Sequence, residues 1–349
     1  MPSEEQDILK SAVQEFAQKS LLNNLLKLER EGIDDSMVRA LATQGFLGSR
    51  IPEKYGGSGI DQSGYLVVLE ELATFSPSVS ALVMLTSSVF AQLVGDMDPE
   101  AVRRVASGEA MASVAFDSIL EGNTTVEGLK ESGKSMTGER KHILNANPDY
   151  LISEAEGSGF LYLIKGGIET KEEDQILSFR GIKLGTARVN CSTYVKLADN
   201  GKKRLAEVMD SLDLEISAIA LGISRGALQK VIEYTKVRKT FDKPLKDYGP
   251  VASTISKLMS EQRVLEMALH NQEIEEEKEK LMIKVLAVDL AKRASKYALQ
   301  FHGGYGYIED FGVEKYYRDA MGLSILLQRS RSDNQRLAKE IFGEKSGYL

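Results

Sequence analysis

The feature that most constrains this 349-residue chain is a change of hydrophobic period, made twice. Up to residue 110, apolar residues recur at three- and four-residue spacing, as in EEQDILKSAVQEFAQKSLLNNLLKLE, which is the stripe of an amphipathic helix. Between 111 and 200 the spacing gives way to short runs: MASVAFD, SMTGERKHIL, YLISEA, FLYLIK, ILSFRGIKL and STYVKLA. These runs are rich in β-branched and aromatic residues and lie between Gly, Asn and Asp turns, a pattern that predicts a small antiparallel sheet or barrel. From 203 onward the helical period returns in four long segments with short connections, which predicts an antiparallel bundle. The expected fold is mainly α with a small central β domain. An N-terminal helical domain covers 1–110, a middle β domain 111–202 and a C-terminal four-helix bundle 203–349. A β unit between two helical units leaves crevices at its borders, and domain borders favour cofactor sites.

Composition narrows the function. The single cysteine, Cys191, excludes an internal disulfide framework, and three widely spaced histidines (His142, His270, His302) give no expectation of a metal site. A net charge of −7 makes nucleic acid an unexpected partner. No apolar run reads as a membrane span, and the acidic start MPSEEQDILK lacks an apolar leader core, so a cytoplasmic location is expected. Local signals mark helix ends: Asp34 or Asp35 caps DDSMVRALATQGF, and Asp98 with Pro99 opens DPEAVRRVASGE. The run EIEEEKEK (273–280) reads as a solvated helix end and turn.

Four motifs, in this order, resemble the acyl-CoA dehydrogenase family. They are GFLGSRIPEKYGGSGID (45–61), TGERKHILNANPDYLI (137–152), GALQKVIEYTKVRKTFDKPL (226–245) and ALQFHGGYGYIEDFGVEKYYRDA (298–320), and the resemblance covers nearly the whole chain. It implies FAD between the β domain and the bundle, an acyl-CoA substrate and an electron-transfer protein as acceptor. It implies a carboxylate that removes the proton α to the thioester carbonyl while a β-hydride passes to the flavin. It also implies a homodimer or homotetramer, because the Arg-x-x-Phe segment reaches a neighbour's flavin. Carried onto this sequence, Arg238 would meet the FAD pyrophosphate, with Phe241 beside the nucleotide. Gly303 and Gly304 would offer bare backbone to the phosphates, and Ile143 and Asn145 would belong to the strand facing the flavin. Read alone, Gly303-Gly304 is also a helix stop and Arg238 an exposed helix-end cation. The PEKYGGSG loop and Arg318 read as structural.

The sequence departs from the family pattern where the flavin ring and the base would be. FDSILEGNTT (116–125) stands in place of a Thr-Glu-Pro-x-x-Gly-Ser-Asp loop and keeps only Gly122. Leu144 replaces a Thr whose hydroxyl would hydrogen-bond near flavin N5, and Gly249 replaces a Gln. The usual catalytic Glu falls on Leu327 counting forward from Arg318, or on Arg329 counting back from Gln335-Arg336. Neither is a base. In members that carry the base on the first bundle helix, the position falls on Leu212, with Asp213 and Glu215 just beyond. Both acids also suit a first helical turn capped by Ser211; Glu215 is the candidate base. Asp333 and Glu340 are expected on a solvated helix surface. Two other readings stay open: a non-catalytic relative that keeps the scaffold for acyl-CoA binding or assembly, and a flavoprotein oxidase or monooxygenase.

Overall fold

The computed structural model describes residues 4–115, 128–145, 147–173, 176–326 and 330–343. The chain opens with helices α1 (Glu4–Phe16), α2 (Leu25–Glu31), α3 (Asp35–Thr43), α4 (Gln62–Phe75), α5 (Pro77–Met84), α6 (Ala91–Val94) and α7 (Pro99–Ala106). Asp34 caps α3 by accepting the Met37 amide, and Asp98 caps α7 by accepting that of Ala101, satisfying donors that the first turn leaves unpaired. A π-helical stretch, Leu85–Phe90, joins α5 to α6. The helical run Pro77–Met97 spans 21 residues and contains an 18-residue window of mean hydropathy 1.6, enough by length and composition to cross a membrane. This corrects the expectation that no such run exists. Its apolarity serves the core instead: 83% of that window lies buried inside the molecule.

Among the described residues, the β domain holds two four-stranded sheets. One runs β1 (Ala112–Val114), β4 (Tyr150–Glu154), β5 (Leu161–Lys165), β8 (Tyr194–Ala198); the other runs β2 (Lys130–Ser132), β3 (Ser135–Leu144), β7 (Leu184–Cys191), β6 (Ile168–Glu172). Only β1 and β4 pair in parallel among the described strands. A bulge between Arg140 and Ile143 shifts the β3–β7 register, with His142 at φ +56°. The bulge turns Ile143 into the domain core beside Met136 and Val189. Leu144 is left facing outward toward the bundle, lining a slot beside Gly322 and Ile325. The stretch ILSFRGIKL, expected to be a strand, is irregular from 176 to 183, and β7 begins at Leu184.

The C-terminal unit contains α8 (Gly201–Asp210), α9 (Asp213–Val237), a hairpin of β9 (Lys239–Thr240) and β10 (Lys243–Pro244), α10 (Gly249–Leu269), α11 (Glu277–His302), α12 (Glu314–Leu326) and α13 (Ser330–Phe342). The first long helical segment of the sequence thus divides in two. Ser211 closes α8, its hydroxyl donating to the Val208 carbonyl, and does not cap α9. Asp333 is buried with Lys284 at 2.7 Å, a correction to the expected solvated surface, whereas Glu340 is exposed. Lys284 also holds Asp213 at 2.8 Å, and Arg336 reaches Asp213 at 3.3 Å, so α13 is tied to α9 and α11.

Two glycines seat the N-terminal helices on the bundle. A Cβ on Gly222 would lie 2.4 Å from the Glu70 carbonyl oxygen, and one on Gly226 would lie 2.5 Å from that of Thr74. Helices α4 and α9 therefore pack with their backbones nearly touching. Beside that seam Arg225 bridges Glu70 and Glu71 of α4 and, at 2.8 Å, Glu266 of α10.

Candidate functional site

Helix α11 ends at His302, and Gly303 follows at φ +59°, a conformation that side chains disfavour. The helix stop is therefore real. A Cβ on Gly303 or Gly304 would nevertheless meet nothing within 4 Å, and both residues are exposed. Their bare backbone faces open space as well as serving the turn. Arg238, at the end of α9, is brought to this loop: its guanidinium lies 5.7 Å from the centre of the Tyr305 ring. Tyr234 stacks on His302 at 4.1 Å, locking the two helix ends together. Burial pushes the His302 ring below its ordinary pKa, and its Nδ1–H donates to the Ala298 carbonyl at 2.7 Å, so it is a neutral structural group. The carboxyl end of a helix carries partial negative charge, so an anion here needs a cation to hold it. Arg238 supplies one that is permanently charged.

A second feature lies at the border of the β domain and the bundle. Leu144 and Leu184 from the β domain, Leu177 and Phe179 from the irregular segment, and Gly322 and Ile325 from α12 enclose an apolar slot of about 240 Å3. Whole-ligand pockets usually run to roughly 300–1,000 Å3, so this slot suits a ring and not an entire dinucleotide. Residues 116–125, the other stretch expected near a flavin ring, and the base positions Leu327 and Arg329 lie outside the described residues.

The remaining candidates are dispersed. Phe241 stands 92% exposed at the tip of the β9–β10 hairpin with φ +49°. Ile143 is fully buried in the β core, so only its backbone can face a ligand. The Asn145 side chain donates to the Ala112 carbonyl at 3.1 Å, which holds the end of β3 against β1. Glu215 lies in the first turn of α9, 5% exposed, where the Gln62 amide donates to one carboxylate oxygen at 3.2 Å. The other oxygen, Oε2, is buried without a partner. Burial raises the Glu215 pKa above the usual carboxylate range, with the Gln62 hydrogen bond acting in the opposite sense. Asp213 differs, since its two oxygens are engaged by Lys284 and Arg336. Of these two acids, Glu215 is the one with an oxygen free to take a proton.

The larger cavity, about 820 Å3, lies elsewhere, between α1, α4, α9 and α10. Its carboxylates Glu70, Glu71 and Glu266 share Arg225 and are each met by a further partner, His270, Lys10 and Arg263, so it is read as a seam between helices. Burial works against the charge on Glu266, but Arg225 and the Gln262 amide hold its pKa below the usual range. The sequence reading missed the segment 176–183 and Gly322, which build the slot. An irregular segment read as a strand gives no pattern by which its contact with a helix 140 residues further on could be found.

The fold thus sets two helical units around a small β domain, with the glycine loop and the slot at its borders. Comparisons agree at the level of family. The model of the acyl-CoA dehydrogenase N-terminal domain matches residues 3–106, and that of the acyl-CoA dehydrogenase C-terminal domain matches 199–327. The chain belongs to the acyl-CoA dehydrogenase family of oxidoreductases. It is 25% identical to the caffeyl-CoA reductase–Etf complex subunit CarC of Acetobacterium woodii, over 93% of this chain and 94% of that protein. It is 21% identical to a 3-(aryl)acrylate reductase of Clostridium sporogenes, again over 93% and 94%. The structure of butyryl-CoA dehydrogenase from Megasphaera elsdenii superposes with a TM-score of 0.82 at 22% identity, covering 98% of this chain and 99% of that one.

Proposed function

We propose that this protein is an FAD-dependent oxidoreductase that interconverts a saturated acyl-CoA thioester and its α,β-unsaturated form. The observation that carries the reading is the open glycine backbone at 303–304 beside Arg238, at the position where the family resemblance puts a cofactor pyrophosphate. The residues present fit that group. Arg238 and the loop amides would hold the phosphates, and the apolar slot closed by Leu144 would take the ring. Phe241, exposed on its hairpin, suits contact with the nucleotide of a second copy of the chain, which makes a homo-oligomer part of this reading.

Bound FAD would supply the two-electron chemistry, as acceptor or donor of a hydride. Glu215 holds the proton exchanged at the α-carbon, and Gln62 orients its carboxyl. Burial, which raises the Glu215 pKa, makes its carboxylate a stronger base once ionised. The names of the relatives include both dehydrogenases and reductases, and the same two transfers serve either direction. Likeness to a structure of the electron-transferring flavoprotein of Acidaminococcus fermentans, at a TM-score of 0.85, and to an Etf-complex subunit supports a protein electron acceptor or donor.

The visible spectrum of the purified, FAD-reconstituted protein tests the reading. Flavin absorbance that bleaches on anaerobic addition of an acyl-CoA is expected. Protein that stays colourless after incubation with FAD would overturn it, and acyl-CoA binding measured calorimetrically on such protein would favour the non-catalytic alternative.

A further inference from the structure

The slot between the β domain and α12 is walled by apolar side chains, with two polar ones among them, Lys183 and Ser178. Lys183 is committed elsewhere: its ammonium pairs with Glu172 at 2.9 Å and donates to the Arg30 carbonyl at 3.0 Å. Ser178 is not committed. It is only 8% exposed, and its hydroxyl has no hydrogen-bond partner among the described residues. A hydroxyl largely withdrawn from water and left unpaired weakens the fold, so its presence there needs a reason.

The surrounding structure holds that hydroxyl in place. Arg318 donates to the Leu177 carbonyl at 3.0 Å, and Asp319 accepts the Phe179 amide at 2.7 Å, so α12 grips the residues on either side of Ser178. Gly322, one turn further along α12, makes room for it: a Cβ there would overlap the Ser178 side chain. Phe179 adopts φ +51°, a conformation that costs energy in a residue with a side chain and persists where neighbours over-determine it. Beyond it, the Gly181 amide donates to the Ser78 hydroxyl at 3.2 Å, and the Gly181 carbonyl accepts from the Ile33 amide at 2.7 Å. The segment is thus tied to α12 on one side and to the N-terminal helices on the other. A polar group on such a support is oriented before any ligand arrives.

The ligand side of the argument comes from ring chemistry. A flavin ring has an apolar end and a polar edge that carries N5 and the C4 carbonyl, both acceptors in the oxidised ring. Leu144, in the same slot wall, stands where the family resemblance puts a Thr hydroxyl near N5, and it has no proton to donate. An apolar wall alone would leave the polar edge of the ring unpaired. We propose that the Ser178 hydroxyl is the donor to that edge, supplying from the 176–183 segment the hydrogen bond that Leu144 cannot make. The assignment rests on the flavin reading and adds to it a specific contact residue. A donor at this edge favours the reduced ring, whose extra electron density makes it the better acceptor, and so raises the flavin potential.

Comparison of Ser178→Ala with the wild type tests the assignment. A hydroxyl that waits for a ligand contributes nothing to the empty fold, so the flavin-free variant should melt at the same temperature as the wild type or higher. The FAD-loaded variant should have a midpoint potential lower by about 30 mV, a tenfold change in a two-electron reduction equilibrium. A structural hydroxyl would behave in the opposite way. A lower melting temperature in the flavin-free variant therefore overturns the assignment, and so does an unchanged potential. An unchanged potential together with weaker acyl-CoA binding would give the hydroxyl to the thioester and overturns it as well. Wild-type protein that takes up no FAD refutes the flavin reading itself and this contact with it, a failure distinct from normal FAD loading at an unchanged potential.

Discussion

Gly222→Ala tests the seam between the N-terminal helices and the bundle, because two opposed effects decide its sign. Alanine in a helix interior is favoured over glycine by roughly 0.5–1 kcal/mol, so an open site would be stabilised. At Gly222 the new methyl would sit 2.4 Å from the Glu70 carbonyl oxygen, 2.5 Å from the Ala73 Cβ and 3.0 Å from the Thr74 amide nitrogen. Carbon–oxygen contacts normally begin at about 3.3 Å, so α4 and α9 must separate by about 1 Å. Two of the obstructing atoms are backbone and cannot rotate aside. Overpacking of this kind costs about 1–3 kcal/mol, and the separation also stretches the ion pairs of Arg225 to Glu70 and Glu71 beside the same seam. The cost exceeds the gain, and a net destabilisation of about 1–2 kcal/mol is expected. Urea unfolding followed by circular dichroism measures it. Gly249→Ala is the control, because a Cβ there meets nothing within 4 Å, and it should be neutral or mildly stabilising. A Gly222→Ala protein as stable as the wild type, or more so, would refute the close approach of the two backbones.

Other outcomes follow from the same contacts. Arg225→Met removes the cation that Glu70, Glu71 and Glu266 share in a largely buried place, leaving each with a single basic partner among the described residues (His270, Lys10 and Arg263), and the same unfolding assay should show a loss of about 3 kcal/mol, larger than that of Gly222→Ala. Gly304→Val adds a side chain where the fold has room, so the melting temperature of the flavin-free protein should hold while FAD retention falls; equal FAD content in wild type and variant would argue against phosphate contact there. Glu215→Gln should keep bound FAD yet slow its anaerobic bleaching by acyl-CoA on the order of 100-fold or more, the usual weight of general-base catalysis. Because burial raises the Glu215 pKa, the wild-type bleaching rate should climb with pH over a range above that of an ordinary glutamate, and stopped-flow at several pH values would show whether that limb is lost in Glu215→Gln.

Much of the architecture was legible without coordinates. Caps at Asp34 and Asp98 are local signals, since each acts on an amide three residues away, and the change of period marked the β domain because side-chain direction alternates within a strand. The glycine stop after His302 was legible for the same reason. Less legible were features set by partners distant in sequence. Asp213 reads as a first-turn helix acid and Asp333 as a solvated one, yet Lys284 lies between them. Pro77–Met97 has the composition of a membrane span, and only its burial among α4, α7 and the β domain shows that it belongs to the core. Ser211 had the residue type of a cap but ended the preceding helix.

The sequence by itself determined the helical and β zones, the family resemblance, and the presence of an arginine and a glycine pair suited to a phosphate. Each of these depends on residue type and on spacing of a few positions, which backbone geometry converts directly into local structure. The tertiary structure alone decided that Arg238 stands beside the glycine loop, that Glu215 keeps an oxygen free while Asp213 does not, and that residues 176–183 lie on Gly322 to wall an apolar slot. These are pairings across long stretches of chain. They depend on which helix faces which, and no local pattern encodes the partner.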